Sequence, residues 1–272
     1  IKSLGFTDVT LSDRTIIGPW ELDIVVPSAK FAVEYNGLYW HSDVFSYKTY
    51  HDEKTKRAAA AGYRLFHVFE DEWRSNPAKR EIVKSMVSVR LGCSATKVHA
   101  RKCELIEVSA LDRRSFFEKN HLEGDVRAKA AWVLVSENVL VAALSIRKPV
   151  HASTYKDTLE IARYACALNT VVVGGLSKLV AAAITRSRRL GAAKLITYVD
   201  SRLGNSNGYE LAGFKFVGET APRFWWTDFV TRIDRFAICA NKASGVTQAQ
   251  AARDAGVYAI YGCSNKRYEL SL

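Results

Sequence analysis

Proline is scarce in this sequence and methionine nearly absent, with five Pro and one Met in 272 residues. Together with only 16 Gly, that excludes a collagen-like chain. A hydrophobic fraction of 48% with 25% charged residues excludes extended disorder and allows a sizeable core. No apolar run approaches the ~18 residues that a membrane span needs. No charged-then-apolar leader opens the chain, so a membrane is not an expected partner. The chain starts at Ile1 rather than Met, which leaves room for residues upstream. Cys93, Cys103, Cys166, Cys239 and Cys263 are odd in number, widely spaced and free of any CxxC pair. Neither a disulfide framework nor a zinc ribbon is readable from them, and a reducing cytoplasm is the natural compartment. Internal repeats and low-complexity tracts are absent as well.

Acidic residues are in deficit, 28 against 39 Lys and Arg, for a net charge of +11. The deficit is uneven. Residues 1–98 carry 14 basic and 12 acidic side chains, and residues 99–272 carry 25 and 16. The second part therefore holds +9 of the total. A basic surface attracts phosphate backbones whatever their sequence, although the same charge also serves solubility. The length allows one large domain or two ordinary ones at roughly 100–200 residues each.

The pattern predicts an α/β chain. Residues 22–26 and 31–35 read as two strands around Pro27-Ser28, 50–62 as a helix ending at Gly62, and 63–69 as a third strand. A helix over 78–91 stops at Gly92, and a small, basic hinge follows at 93–103. Beyond it come a strand at 104–108, a helix at 111–119, and strands near 130–136, 139–147 and 158–166. A helix from Gly174 to Leu190, a strand at 194–199 and a short helix near 206–212 follow. Strands are expected near 214–218 and 230–238. The expected division is a first domain over 1–98, a second over 104–240 and a tail over 241–272.

The stretch WELDIVVPSAKFAVEYNGLYWH, residues 20–41, concentrates the chemistry. Glu21 and Asp23 lie two apart on a strand and so share a face, and Glu34 returns beside Asp23 on the next strand. Three convergent carboxylates repel one another unless a cation sits between them. Such hard oxygen ligands suit Mg²⁺ or Mn²⁺. Asn36 and His41 would add a neutral ligand and an acid–base group near neutrality. A solvated edge strand with aligned carboxylates accounts for the same pattern.

Asp23 followed ten residues later by Glu34-Tyr35-Asn36 resembles the PD-(D/E)xK nuclease superfamily, with Asn36 where Lys would stand. With YHDEKTKRAAAAGYRLFHVFEDEW it resembles more closely the very short patch repair endonucleases and the phage homing endonucleases of the EDxHD type. The resemblance implies a metal-dependent endonuclease acting on double-stranded DNA. It gives Asp23, Glu34 and Glu21 as metal ligands, His41 as acid–base group, Lys54 as the displaced Lys, and His51 and Asp52 as the opening of its helix. Trp40, beside Tyr39, fits base stacking or core packing. His67 fits a satisfied core histidine, and Glu70, Asp71 and Glu72 a solvated strand end.

The order of elements over 104–238 resembles the GCN5-related acetyltransferase fold. Val173-Gly174-Gly175 opens a helix as that family's pyrophosphate-binding segment does, and Asn205 and the run Tyr209–Phe214 follow. Tyr209 stands where the family has its general acid, while the family's (R/Q)xxGx(G/A) spacing is absent. The alternatives are an acetyl-CoA-dependent N-acetyltransferase with a remnant nuclease domain and a non-catalytic DNA-binding protein. Arg186, Arg188, Arg189, Lys194, Arg202, Arg223, Lys266 and Arg267 are the candidate phosphate contacts. Residues 247–257 resemble the opening of a helix-turn-helix, although no second helix follows.

Overall fold

A computed structural model describes residues 1–150, 156–203, 207–240 and 245–272. In chain order the elements begin with β1 (Thr10–Asp13), β2 (Leu22–Val26), β3 (Phe31–Asn36), α1 (Tyr50–Ala60), β4 (Arg64–Phe69), α2 (Glu70–Trp73) and α3 (Pro77–Arg90). Then come β5 (Thr96–His99), β6 (Glu104–Glu107), α4 (Ala110–Asn120), β7 (Ala130–Ser136), β8 (Val139–Arg147), β9 (Thr158–Cys166), β10 (Thr170–Val173) and α5 (Gly175–Arg189). The chain continues through β11 (Lys194–Asp200), α6 (Gly208–Leu211), β12 (Lys215–Glu219), β13 (Phe224–Thr227) and β14 (Arg232–Ile233). It ends with α7 (Gln248–Asp254), β15 (Tyr258–Tyr261) and β16 (Asn265–Ser271).

Contacts divide this mixed α/β chain into two compact units, neither contiguous in sequence. The first comprises Ile1–Arg80, Asp200–Asn205 and Glu219–Asn265, and the second Glu81–Val199, Ser206–Gly218 and Lys266–Leu272. The expected division, in contrast, ran in unbroken segments.

In the first unit the sheet order is β1-β2-β3-β4. Strands β2 and β3 pair antiparallel, β3 and β4 parallel, and α1 is the crossover between them. Strand β3 is nearly continuously buried, as a strand covered on both faces must be. One face holds Leu22, Val25, Ala32, Ala58, Tyr63 and Leu65. Elsewhere in the unit, Leu38 and Phe69 pack with Trp225 and Ile260. The three-stranded sheet β14-β13-β15 supplies those last two. A single strand over 230–238 was expected, but β14 is only two residues long. The Asp234 carboxylate accepts the Phe236 N–H at 2.8 Å and turns the chain into a 3-10 segment.

The second unit is built on a seven-stranded sheet in the order β12-β16-β11-β9-β8-β7-β6. Helix α5 covers one face through Leu179, Val180 and Ala183, which pack with Trp132, Leu134, Leu144, Leu159 and Leu195. Helix α4 covers the other through Phe116 and Phe117 against Val133, Ala143 and Ala165. Strands β5 and β10 form a separate parallel pair. Among the described residues no helix is long and apolar enough to cross a membrane.

Candidate functional site

The polar centre of the first unit follows from helical spacing. His51, Lys54, Thr55 and Ala58 fall at i, i+3, i+4 and i+7 and so line one face of α1. That face meets β3 and β4, where Glu34 lies in register with His67. The Lys54 ammonium is bonded to the Glu34 carboxylate, and both side chains are almost wholly buried, at 2% and 3% exposure. Asp23 accepts the Tyr35 N–H at 2.7 Å. The His51 ring nitrogen Nε2 lies 2.8 Å from His41 Nδ1. His67 lies 2.8 Å from the Thr55 hydroxyl and 3.3 Å from the Asn36 amide. The Asp52 carboxylate accepts the Ser264 N–H and hydroxyl at 2.9 and 2.7 Å. His67, Thr55 and Ser264 were not sequence candidates; His67 was legible as an alternating buried position, the others only through contacts far along the chain.

Burial sets the charges here. It pushes Glu34 up to about 8, with the Lys54 ammonium working against it, and raises Asp23 as well. It pushes His41 down to about 4 and His51 to about 3, helped by Lys54 at the first and by His41 at the second. Held at about 4, the His41 ring takes up a proton only well below neutrality. The three carboxylates do not gather as free oxygen ligands either. Glu21 accepts Arg14 Nε at 3.0 Å at the surface, and Glu34 is bonded to Lys54. Lys54 brings a positive charge against this acidic pair. Among the described residues no group of three or more His, Cys, Asp and Glu side chains is arranged to hold a metal ion. Mg²⁺ and Mn²⁺ do not fit the donor set.

The candidate phosphate contacts scatter. Arg202 is 1% exposed, held by Asp200 at 2.8 Å and by Glu72 at 3.0 Å, and reaches no ligand in solvent. Lys194 and Arg267 are both bonded to Glu269. Arg223 lies over the Trp225 ring at 4.7 Å, and Lys266 is half-buried. Arg186 stands 3.8 Å from Glu107, and Arg188 and Arg189 are exposed. Glu72 does not sit in a solvated loop; with Asp71 it bonds Arg232, a residue that sequence reasoning passed over. Trp40 is 67% exposed and shares ring contacts with Tyr39 and Phe45 at 5.0 and 5.1 Å, so it is not a core side chain.

The regular pairing of the second unit's large sheet is interrupted at one point. The β8–β9 register passes from Ser145↔Arg163 to Ile146↔Ile161, leaving Ala162 as an extra residue. Such a bulge bends the strand and increases its twist. The parallel pairing of β9 with β11 runs from Thr158↔Lys194 to Ile161↔Thr197, the residue before the bulge. Tyr164 and Tyr209 are packed in the core beneath. Burial pushes the Tyr209 phenol up to about 12, with the Thr197 hydroxyl working against it. Gly174, at φ +74°, is the N-cap of α5. The register of β5 with β10 places His99 against Val173. His99, Ala100, Arg101, Val173, Gly174 and Lys178 line a cavity of about 460 Å³. Lys178 Nζ donates to the Ala100 and Cys103 carbonyls at 3.0 and 2.7 Å. Asn205 lies outside the described residues.

No family model matches this sequence, and no curated protein matches it. Solved structures similar to the chain are acetyltransferases. A Bacillus subtilis acetyltransferase in complex with CoA is 16% identical, with a TM-score of 0.38, and the match covers 63% of this chain and 98% of that one. A GNAT family acetyltransferase from Elizabethkingia anophelis with acetyl-CoA bound is 12% identical, with a TM-score of 0.35, covering 63% and 99%. An IAA acetyltransferase from Bacillus cereus is 11% identical, with a TM-score of 0.34, covering 62% and 99%. Among the described residues no group of side chains is arranged to hold a metal ion, and the expectation of a metal-dependent phage endonuclease is corrected on that ground.

Proposed function

We propose that the second unit is an acetyl-CoA-dependent N-acetyltransferase. The observation that carries this reading is the cavity at the first turn of α5, lined by Gly174, Lys178, His99 and Arg101. Backbone N–H groups of a 15-residue helix point out of that turn and favour an anionic group such as a pyrophosphate. His99 and Arg101 stand on the rim of the adjoining cavity. In the transfer, the amine nitrogen of an acceptor attacks the thioester carbonyl carbon, gives up a proton to solvent, and the carbon–sulfur bond breaks. The leaving thiolate takes a proton, for which Tyr209 is the proposed donor. A phenol held at about 12 is protonated throughout the physiological range.

Calorimetric titration of the full chain with acetyl-CoA tests the reading. Saturable heat is expected, with a Tyr209→Phe variant that binds equally but transfers acetyl to a primary-amine acceptor at least tenfold more slowly. No heat above the dilution background removes the proposal.

A second reading, nucleic-acid binding without cleavage, is favoured by the exposed rings of Tyr39, Trp40 and Phe45 on a chain of net charge +11. Aromatic faces accept stacked bases, and basic surface draws the backbone. Double-stranded DNA is its proposed partner. Weaker binding by Trp40→Ala in a fluorescence titration supports this second reading, and unchanged binding by that variant counts against it.

A further inference from the structure

The seven-stranded sheet ends at β12, whose one neighbour in the sheet is β16. The strand reads Lys215-Phe216-Val217-Gly218-Glu219, and every residue but Gly218 is exposed. Phe216 and Val217 each keep 49% of their surface open. A strand at a sheet edge presents main-chain N–H and C=O groups that an extended chain can pair with. Charges guard such edges, and β12 carries one of each sign at its two ends.

Strand geometry restricts what a second copy of β12 can do here. A two-fold axis perpendicular to the sheet sets two copies of one edge antiparallel and keeps each side chain on its own face. Alternation puts Lys215, Val217 and Glu219 on one face, with Phe216 and Gly218 on the other. With Val217 opposite its own copy, Lys215 opposes Glu219 and Phe216 opposes Gly218, each pair occurring twice. Moving the register by two residues either way sets one charged residue opposite Val217 and leaves the other opposed to nothing in the strand. A shift that set side chains of different faces opposite each other is not open to a pleated sheet.

Both faces favour that pairing. Glu219 accepts Lys56 Nζ at 2.9 Å, and Asp52 accepts the same ammonium at 2.9 Å. Those three groups together keep one negative charge. Lys215 is exposed, and no ion pair among the described residues takes it. Lys215 of the second copy brings the matching positive charge, and opposite charges directly across a strand pair stabilise it. On the other face, the Phe216 ring stands 5.7 Å from that of Tyr268 and stays half-exposed. A Cβ on Gly218 would meet nothing within 4 Å, so the position that Phe216 opposes is open space. An aromatic ring laid over an edge-strand glycine covers backbone that the glycine leaves bare.

We propose that β12 is the interface of a symmetric dimer, in which two copies of this chain pair antiparallel about Val217 and join their sheets into one. This inference is independent of acetyl transfer. Sedimentation of the full chain over a range of concentrations tests it, and a monomer–dimer equilibrium is expected. Lys215→Glu and Glu219→Lys each set like charges opposite one another twice, and each should weaken association about tenfold. A mixture of the two variants has opposite charges at both positions again, so it should associate about tenfold more tightly than either variant alone. A native chain that stays monomeric overturns the proposal. So does a dimer that both single variants leave unchanged, because it uses another surface. So does a mixture that associates no better than its components, because the two charges then do not face each other.

Discussion

Glu72 accepts from two guanidinium groups, Arg202 Nη1 at 3.0 Å and Arg232 Nη2 at 2.6 Å, and is 1% exposed. Burial works against its charge, yet Arg202 and Arg232 outweigh that and hold its pKa at about 2. Both guanidiniums also lie over the Phe69 ring, at 5.6 and 4.2 Å. Glu72→Ala leaves them buried without that carboxylate and should destabilise the fold by about 3–5 kcal/mol, measured by urea denaturation. The pH dependence has opposing parts. Glu72 contributes fully above pH 4.5 and loses its contribution as pH falls towards 2. His41 and His51, held at about 4 and 3 against the usual 6.5, lose theirs as pH falls below 6.5. Glu34, raised to about 8, behaves the other way: its contribution is complete below pH 4.5 and declines as pH rises to 8. Glu34→Gln imitates the protonated side chain, so the variant should lose less stability between pH 5 and pH 8 than the native protein. Equal urea-midpoint shifts in the two proteins would remove Glu34 from that role.

At the scale of elements, the start of α5 is the most tightly specified point of the second unit. Gly174 takes a left-handed conformation at φ +74°, which costs a residue with a Cβ about 1–2 kcal/mol. A Cβ on Gly175 would come within 2.9 Å of the buried Val172 side chain. Gly174→Ala should therefore lower stability by about 1–2 kcal/mol. Gly175→Ala should add a packing loss of about 1–3 kcal/mol, both read from urea midpoints. This helix was legible beforehand because its signals are local: a Gly pair at one end, arginines at the other and an apolar stripe between. Strands β7, β8 and β9 were equally legible from their apolar runs. The β5–β10 pair was not, because it joins residues 96–99 to 170–173 with no local sign of partnership. Arg202 was misplaced for the same reason; a basic residue after a strand looks solvated until Glu72, 130 positions away, is beside it. The convergence of Asp23 and Glu34 followed from alternation. Whether Lys54 would assist a metal or stand in its place depends on burial, and residue spacing does not report burial.

The molecule as a whole departs from the order of its sequence, with a consequence for its first hundred residues. Strand β4 ends in Phe69, which packs with Leu38, Trp225 and Ile260. Glu72 needs Arg202 and Arg232, and Asp52 needs Ser264. Every one of these distant partners lies between residues 200 and 265 and belongs to the same unit as β1 to β4. A fragment of residues 1–98 keeps the four-stranded sheet but exposes Leu38 and Phe69 and leaves the Glu72 charge without either guanidinium. Losing one partner of a buried ion pair already costs about 3–5 kcal/mol, and whole domains hold only about 5–15 kcal/mol in total. The fragment should therefore fail to hold a packed core. Near-ultraviolet circular dichroism offers the check: the full chain should show fixed aromatic bands, and the fragment should lose those of the first unit. A fragment that unfolds cooperatively in urea would show that β1 to β4 with α1 suffice. The distant segment would then be a cover over a finished core and not part of it.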